Sequence, residues 1–224
     1  MEVLKIENGT IFINHNNKTI LIDEKFKFLL DDFKRCDISN YVYFSRLIKT
    51  KYGNVSQRIA IHKFICQSNS KNDVIDHINR NKLDNRQSNL RVATYQQNCW
   101  NRSPEKIDRL KGVSILKNGK FSTTFTQCSR CFIFGSFKTE YEASIFHDIN
   151  ALLNRGEFAY LNHENNRDSY ARIIIELNLH QNDVLIVKNR DVGKINADKP
   201  NSDMKSMFSY YDTDGELRKL LTLQ

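Results

Sequence analysis

The chain has no apolar run approaching the roughly 18 residues a membrane-spanning helix needs, which excludes a helical membrane anchor as an expectation. Its opening, MEVLKIENGT, lacks the charged-then-apolar order of a secretion signal. There are only two prolines and eight glycines in 224 residues, so turns must draw mainly on Asn and Asp, whose short side chains bond to nearby backbone. The five cysteines are odd in number and irregularly spaced, unlike a secreted disulfide scaffold. A reducing intracellular compartment, cytoplasm or nucleus, is expected rather than secretion. Cys128-Ser129-Arg130-Cys131 is the single Cys-x-x-Cys. A structural zinc would need two further ligands at compatible spacing, and none is expected.

Acidic residues are also in deficit. The 34 Lys and Arg against 26 Asp and Glu give a net charge of +8, which favours a polyanionic partner, most commonly nucleic acid. Residues 1–70 carry 11 basic and 7 acidic side chains, residues 71–103 carry 6 and 3, residues 104–164 carry 8 and 7, and residues 165–224 carry 9 and 9. The excess therefore sits in the first 103 residues.

Short β-branched runs at Val3–Ile6, Thr10–Ile13 and Thr19–Ile22, separated by Asn/Gly turns, predict a small meander. Apolar residues at 26, 29, 30 and 33 predict a helix over Asp23–Phe33, with Asp23 as its cap. Asn40–Ile48 and Val55–Ile61 read as strands, and His62–Cys66 as the start of a helix. Asp73–Ile78 and Leu90–Ala93 read as two strands around a polar loop, Asn79–Ser88. Thr94–Asn101 then reads as a helix capped by Thr94. Three more strands are expected at Lys111–Lys117, Phe121–Thr126 and Cys131–Phe137, the first turn being Asn118-Gly119. Thr139 and Glu142 form a capping box for a helix whose apolar face is Ala143, Phe146, Ile149 and Leu153. Ser169–Leu179 predicts a further helix and Asp183–Lys188 a strand.

The segment from Val74 to Arg102, VIDHINRNKLDNRQSNLRVATYQQNCWNR, carries the chemistry. Phosphodiester hydrolysis needs an activated water and stabilisation of charge on the phosphoryl oxygens. His77 supplies an imidazole that accepts a proton near neutral pH. Asp76 supplies a hard oxygen ligand of the kind Mg²⁺ prefers. Neighbours on a strand point to opposite faces, so the two meet one phosphate only if the strand ends there or the metal lies to one side.

The joint pattern Asp76-His77, then Asp84-Asn85-Arg86, then Ser88-Asn89-Leu90-Arg91, then Gln97-Asn98 resembles the HNH nucleases, in particular the small HNH homing endonucleases of phages, viruses and introns. That resemblance implies His77 as general base and Asn89 as the residue that orients the loop holding it. It implies Asp76 and Asn98 as ligands of Mg²⁺ or Mn²⁺, and a phosphate or loop-stabilising role for Arg86. Leu21-Ile22-Asp23-Glu24-Lys25-Phe26, Tyr41-Val42-Tyr43 and Ile61-His62-Lys63-Phe64-Ile65 resemble the segment preceding such cores, where His62 reads as structural rather than catalytic.

Lys111-Gly112-Val113-Ser114, Gly135-Ser136-Phe137-x-Thr139-Glu140-x-Glu142-Ala143, Asp148 and Gly156–Asn162 resemble the ethylene-response-factor (Apetala-type) DNA-binding domain, a three-stranded sheet on one helix. Ser114, Ser122 and Phe121 depart from that family's common Arg, Arg and Trp, so its base contacts do not carry over. Lys111, Lys117, Lys120 and Arg130 are the expected phosphate contacts, which position without reading sequence.

The expected architecture is modular α+β: a β-rich region (1–66), a ββα-metal nuclease core (67–103), an Apetala-type module (104–164) and an unassigned extension (165–224). The expected function is cleavage of double-stranded DNA by a homing or mobile-element nuclease. Its rivals are a non-catalytic DNA-binding regulatory or architectural protein on the same scaffold, and a structural component of an assembly.

Overall fold

The computed structural model of the protein describes residues 1–176 apart from positions 69, 71, 107, 128 and 129, with backbone alone at 127, 130, 132, 134–136 and 176. The expected strand Asp183–Lys188 lies outside the described residues. Strands and short helices mix in small sheets, an α+β arrangement. The chain divides into two compact units, Met1–Asn101 and a second beginning at Arg102. No helix among the described residues is long and apolar enough to cross a membrane.

The first unit opens with an antiparallel meander of β1 (Glu2–Glu7), β2 (Thr10–His15) and β3 (Lys18–Asp23). Its turns use Asn8-Gly9 and Asn16-Asn17 in the left-handed region, which Asn and Gly enter at least cost. Period-two alternation buries Ile11 and Ile13 of β2 against Ile20 and Ile22 of β3. The expected helix over Asp23–Phe33 is shorter than its apolar spacing suggests. A 3₁₀ turn at Glu24–Phe26 precedes α1 (Phe28–Asp32), and Asp23 makes no side-chain cap bond. Its carboxylate instead accepts the Gln87 N–H at 2.7 Å, a bond to a residue far along the chain that competes with capping.

A second sheet has the order β4 (Arg35–Ile38), β5 (Val42–Thr50), β6 (Gly53–Ala60). It leads into α2 (Ile61–Ile65). The hairpin β7 (Val74–His77) and β8 (Leu90–Ala93) then packs with α3 (Tyr95–Trp100). Thr94 caps α3 in a reciprocal box with Gln97. Ile75 and Leu90 of this hairpin join one hydrophobic cluster with Ile11, Ile22, Val42, Phe44 and Ile61. The β3 backbone also grips the loop between β7 and β8: Leu21 N–H donates to the Leu83 carbonyl, and Asn85 N–H to the Leu21 carbonyl.

In the second unit β9 (Val113–Ile115), β10 (Phe121–Gln127) and β11 (Arg130–Phe137) form a sheet with β10 in the centre. The 16-residue α4 (Glu140–Arg155) lies across it and α5 (Arg167–Glu176) packs on α4. The Thr139–Glu142 capping box is formed, and Gly156 at φ +53° stops α4. Phe125, Phe137, Ala143, Phe146 and Ile149 centre the core. Asp148, fully buried on α4, accepts bonds from Asn162 N–H, Asn162 Nδ2 and His163 N–H, all at 2.9 Å. Asn162 in turn closes onto the Lys111 backbone. Gly112 sits at φ +73°, and a Cβ there would lie 2.3 Å from His147 Cδ2 and 2.7 Å from the Thr124 carbonyl. Gly112→Ala is expected to destabilise this unit by at least ~2 kcal/mol, since overpacking costs about 1–3 kcal/mol before the strained φ is added. A thermal melt checks this, and a Tm within 1 °C, roughly, of wild type would contradict it.

Candidate nuclease site

The site is built on the hairpin β7–β8 and on the loop between its strands. β7 ends at His77, so the chain leaves the pleat where the site residues sit. Asp76 and His77 are both nearly buried, at 4% exposure each. They face different neighbours, as adjacent strand residues must.

Asp76 pairs across the ladder with Arg91. Arg91 Nε donates to Asp76 Oδ2 at 2.9 Å, and Arg91 Nη2 lies 2.7 Å from the same oxygen. Asn101 Nδ2, at the C-terminal end of α3, is 3.1 Å from each carboxylate oxygen and also donates to the His77 carbonyl at 3.0 Å. Asn98 is three residues before Asn101, hence on the same face of α3. It is half-buried.

His77 has its Nε2 3.4 Å from Asn85 Oδ1. An amide oxygen accepts, so this contact suits the tautomer with the proton on Nε2, in which Nδ1 is the basic nitrogen. The ring stacks with Tyr41 (centroids 6.0 Å apart, planes 19° apart) and lies 5.6 Å from the His62 ring. Burial pushes the His77 imidazole below its ordinary pKa, against the opposing pull of the Asn85 bond and of Asp76. The ring is therefore neutral at neutral pH, the form a base requires. His62, buried against Tyr41, is pushed down to about 4 by burial and then by His77, Lys63 and Lys82.

The loop is held by its own amides. Asn89 Oδ1 accepts the Asn79 N–H at 2.9 Å while its Nδ2 donates to the Asp84 carbonyl at 2.8 Å. Asn89 thus ties both ends of the turn together. Asn79 Oδ1 accepts from Asn81 N–H, and Asn81 Oδ1 from Leu83 N–H. These are the local side-chain-to-backbone bonds that make Asn a turn residue. Asp84, almost wholly buried, takes two bonds from Arg86 at 2.8 and 2.6 Å and one from Asn79 at 2.9 Å. Burial alone would raise the Asp84 pKa, but the Arg86 bonds and charge, with Asn79, hold it below the usual carboxylate value.

The structure thus brings Asp76, His77, Asn89, Arg86 and Asn98 onto one hairpin-loop-helix. Arg91, Asn101 and Asp84 are the site-forming residues that sequence reasoning did not single out. Arg91 lies in the quoted Ser-Asn-Leu-Arg, and the register of the hairpin would have set it opposite Asp76. Among the described residues no group of three or more His, Cys, Asp and Glu side chains could jointly hold a metal ion. The two residues expected as ligands, Asp76 and Asn98, offer a carboxylate and an amide, a donor pair whose oxygens suit a hard cation that keeps most of its waters better than zinc.

Of the expected DNA-contacting residues, Lys117 is exposed, and Lys111 and Lys120 are partly so. Lys111 Nζ donates to the Arg102 carbonyl at 2.7 Å and lies over the Tyr160 ring. The side chain of Arg130 and the residue Cys128 lie outside the described residues.

Residues 68–99 match a family model described as HNH endonuclease. The chain is also 31% identical over 107 residues to a protein of Acanthamoeba polyphaga mimivirus named as an uncharacterized HNH endonuclease. That alignment covers 46% of this chain and 56% of the relative, so the chain spans just over half of the relative's length. No solved structure matches. Both similarities are thus to HNH endonucleases, the family model over residues 68–99 and the viral relative over part of its length.

Proposed function

We propose that the chain is a divalent-metal-dependent endonuclease that hydrolyses phosphodiester bonds in double-stranded DNA. The observation that carries this reading is the Asp76–His77 pair at the end of β7, backed by a loop that Asn89 closes. His77 removes a proton from the attacking water at Nδ1, while the Asn85 contact holds Nε2. Asp76 and Asn98 would hold Mg²⁺ or Mn²⁺, with Arg91 and Asn101 orienting the carboxylate. When bound, the ion supplies Lewis-acid stabilisation of charge on the phosphoryl and leaving oxygens. Asn89 positions the loop. Arg86 acts through Asp84, since its guanidinium Nε and Nη2 both donate to that carboxylate; of the two roles expected for it, this supports the loop-stabilising one.

The second unit is proposed to be an Apetala-type DNA-binding module. Its three strands packed on one capped helix, with the Asp148–Asn162–Lys111 linkage, support that reading. Lys111, Lys117, Lys120 and Arg130 would contact phosphates. A homing or mobile-element role inside a cell rests on the resemblance of the two modules; the viral relative, named as an HNH endonuclease, supports the nuclease part alone.

The chemistry of the cut ends tests this reading. DNA cut by the purified protein in Mg²⁺ is expected to carry 5′-phosphate and 3′-hydroxyl ends that a ligase rejoins. Ends bearing 3′-phosphate, or cutting that persists in EDTA, would contradict it.

A further inference from the structure

Strand β4 covers β5 only as far as Ser45, which pairs with Arg35. Beyond it, among the described residues, β5 and β6 pair only with each other, in a two-stranded ribbon whose ladder runs from Arg46–Gln57 to Thr50–Gly53. Five residues at about 3.3 Å each make a projection of roughly 15 Å. Two-stranded ribbons are marginal in water on their own. This one nevertheless exposes Tyr52 at 87%, Val55 at 53% and Leu47 at 52%. Such exposure of large side chains on a projecting element marks an interaction surface.

Charge identifies the partner. At the base of the ribbon Arg46 is paired with Asp32 and Arg58 with Asp37. The distal stretch 47–57, LIKTKYGNVSQ, has two lysines and no acidic residue. Lys49 near the end of β5 and Lys51 in the turn are both exposed, and Thr50 closes that turn by donating to the Gly53 carbonyl. The apolar residues are split by the pleat. Leu47 shares its face with Lys49, Asn54 and Ser56, whereas Ile48 and Val55 share the other with Thr50 and Gln57. A ribbon that inserts into lipid would gather its apolar side chains at the tip. This one interleaves cations, amides, hydroxyls and methyls, which matches phosphates and base edges. The major groove, about 12 Å wide and 8.5 Å deep, admits a two-stranded ribbon of this reach.

We infer that the Arg46–Arg58 ribbon is a DNA-contacting element of the first unit, entering the major groove of duplex DNA with Lys49 and Lys51 on flanking phosphates. The inference rests on the proposed DNA substrate, and its test separates the two. The full chain is titrated against a labelled mixed-sequence duplex in EDTA, where no cleavage occurs, over a range of salt. Wild type is compared with a Lys49→Ala/Lys51→Ala variant. Both lysines are exposed, so the variant is expected to melt as wild type does. Loss of two phosphate contacts is expected to weaken binding at least about fivefold near 0.1 M salt and to make the log–log salt dependence shallower by about 1.8. Unchanged affinity and slope would overturn the inference. So would a wild-type protein that pellets with anionic phospholipid vesicles through these lysines but ignores the duplex. Cleavage in Mg²⁺ is scored separately. A wild type that binds through the ribbon but never cuts keeps the inference and sinks the nuclease reading. A wild type that cuts, with the variant binding and cutting equally well, sinks the ribbon alone.

Discussion

Replacing His77 with alanine is expected to slow DNA cleavage by about 10²- to 10⁴-fold, the usual contribution of a positioned general base. His77 combines three properties that a base needs here. It stands where β7 ends, it is kept neutral by burial, and one ring nitrogen is held by Asn85. The substitution also removes a ring stacked on Tyr41 and lying beside His62, so some loss of stability is expected in parallel. Duplex binding in EDTA separates the two effects. The variant is expected to bind as wild type does, because a base acting in the chemical step adds nothing to affinity. Retention of cleavage within about threefold would remove His77 from the mechanism, since a lost base costs far more.

The second large effect concerns Asp76, where catalysis and folding are joined in one carboxylate. Asp76→Ala removes the partner of Arg91, whose side chain is only 11% exposed, and strips Asn101 of its principal acceptor. Breaking a buried ion pair from one side costs about 3–5 kcal/mol, and the lower end is expected because Arg91 retains some water. Asp76→Asn keeps one oxygen acceptor for Arg91, so it is expected to cost less stability than alanine does, though it loses the charge paired with Arg91, the second oxygen that accepts from Asn101 and the anionic oxygen for the metal. It is expected to stay folded and to lose cleavage by about 10³-fold, because Lewis-acid stabilisation is worth several kcal/mol at 1.36 kcal/mol per decade. Chemical denaturation and cleavage rates of the two variants together check this. If Asp76→Asn cleaves at the wild-type rate, the carboxylate is a structural partner of Arg91 and no metal ligand.

Much of this arrangement was legible in the chain because its signals are local. The Asp-His pair at the end of a short apolar run, the Asn/Asp-rich loop and the Thr94 and Thr139 caps all act within a few residues. Relations between distant segments were not legible. Asp23 reads as a helix cap, but its carboxylate is taken by Gln87, sixty-four residues away. Local spacing cannot weigh that competition. Strand β4 was missed because Arg-Cys-Asp-Ile is short and mixed, and only pairing with β5 makes it a strand. Arg91 and Asn101 went unassigned for the same reason. Their roles depend on the register of a hairpin and the docking of a short helix, neither of which periodicity specifies.

Whether this site cuts DNA with a divalent ion is decided by a time course of supercoiled plasmid with the full chain. Mg²⁺, EDTA and the His77→Ala protein form the three arms. Nicked or linear product is expected in Mg²⁺ with wild type, none in EDTA, and a loss of at least about 10²-fold in the variant. Cleavage that persists unchanged in EDTA or in His77→Ala would contradict the proposed mechanism. So would a wild-type protein that shifts the plasmid in a salt-sensitive manner and never breaks it, even across a library of candidate sites; that outcome would leave a DNA-binding protein on a nuclease scaffold.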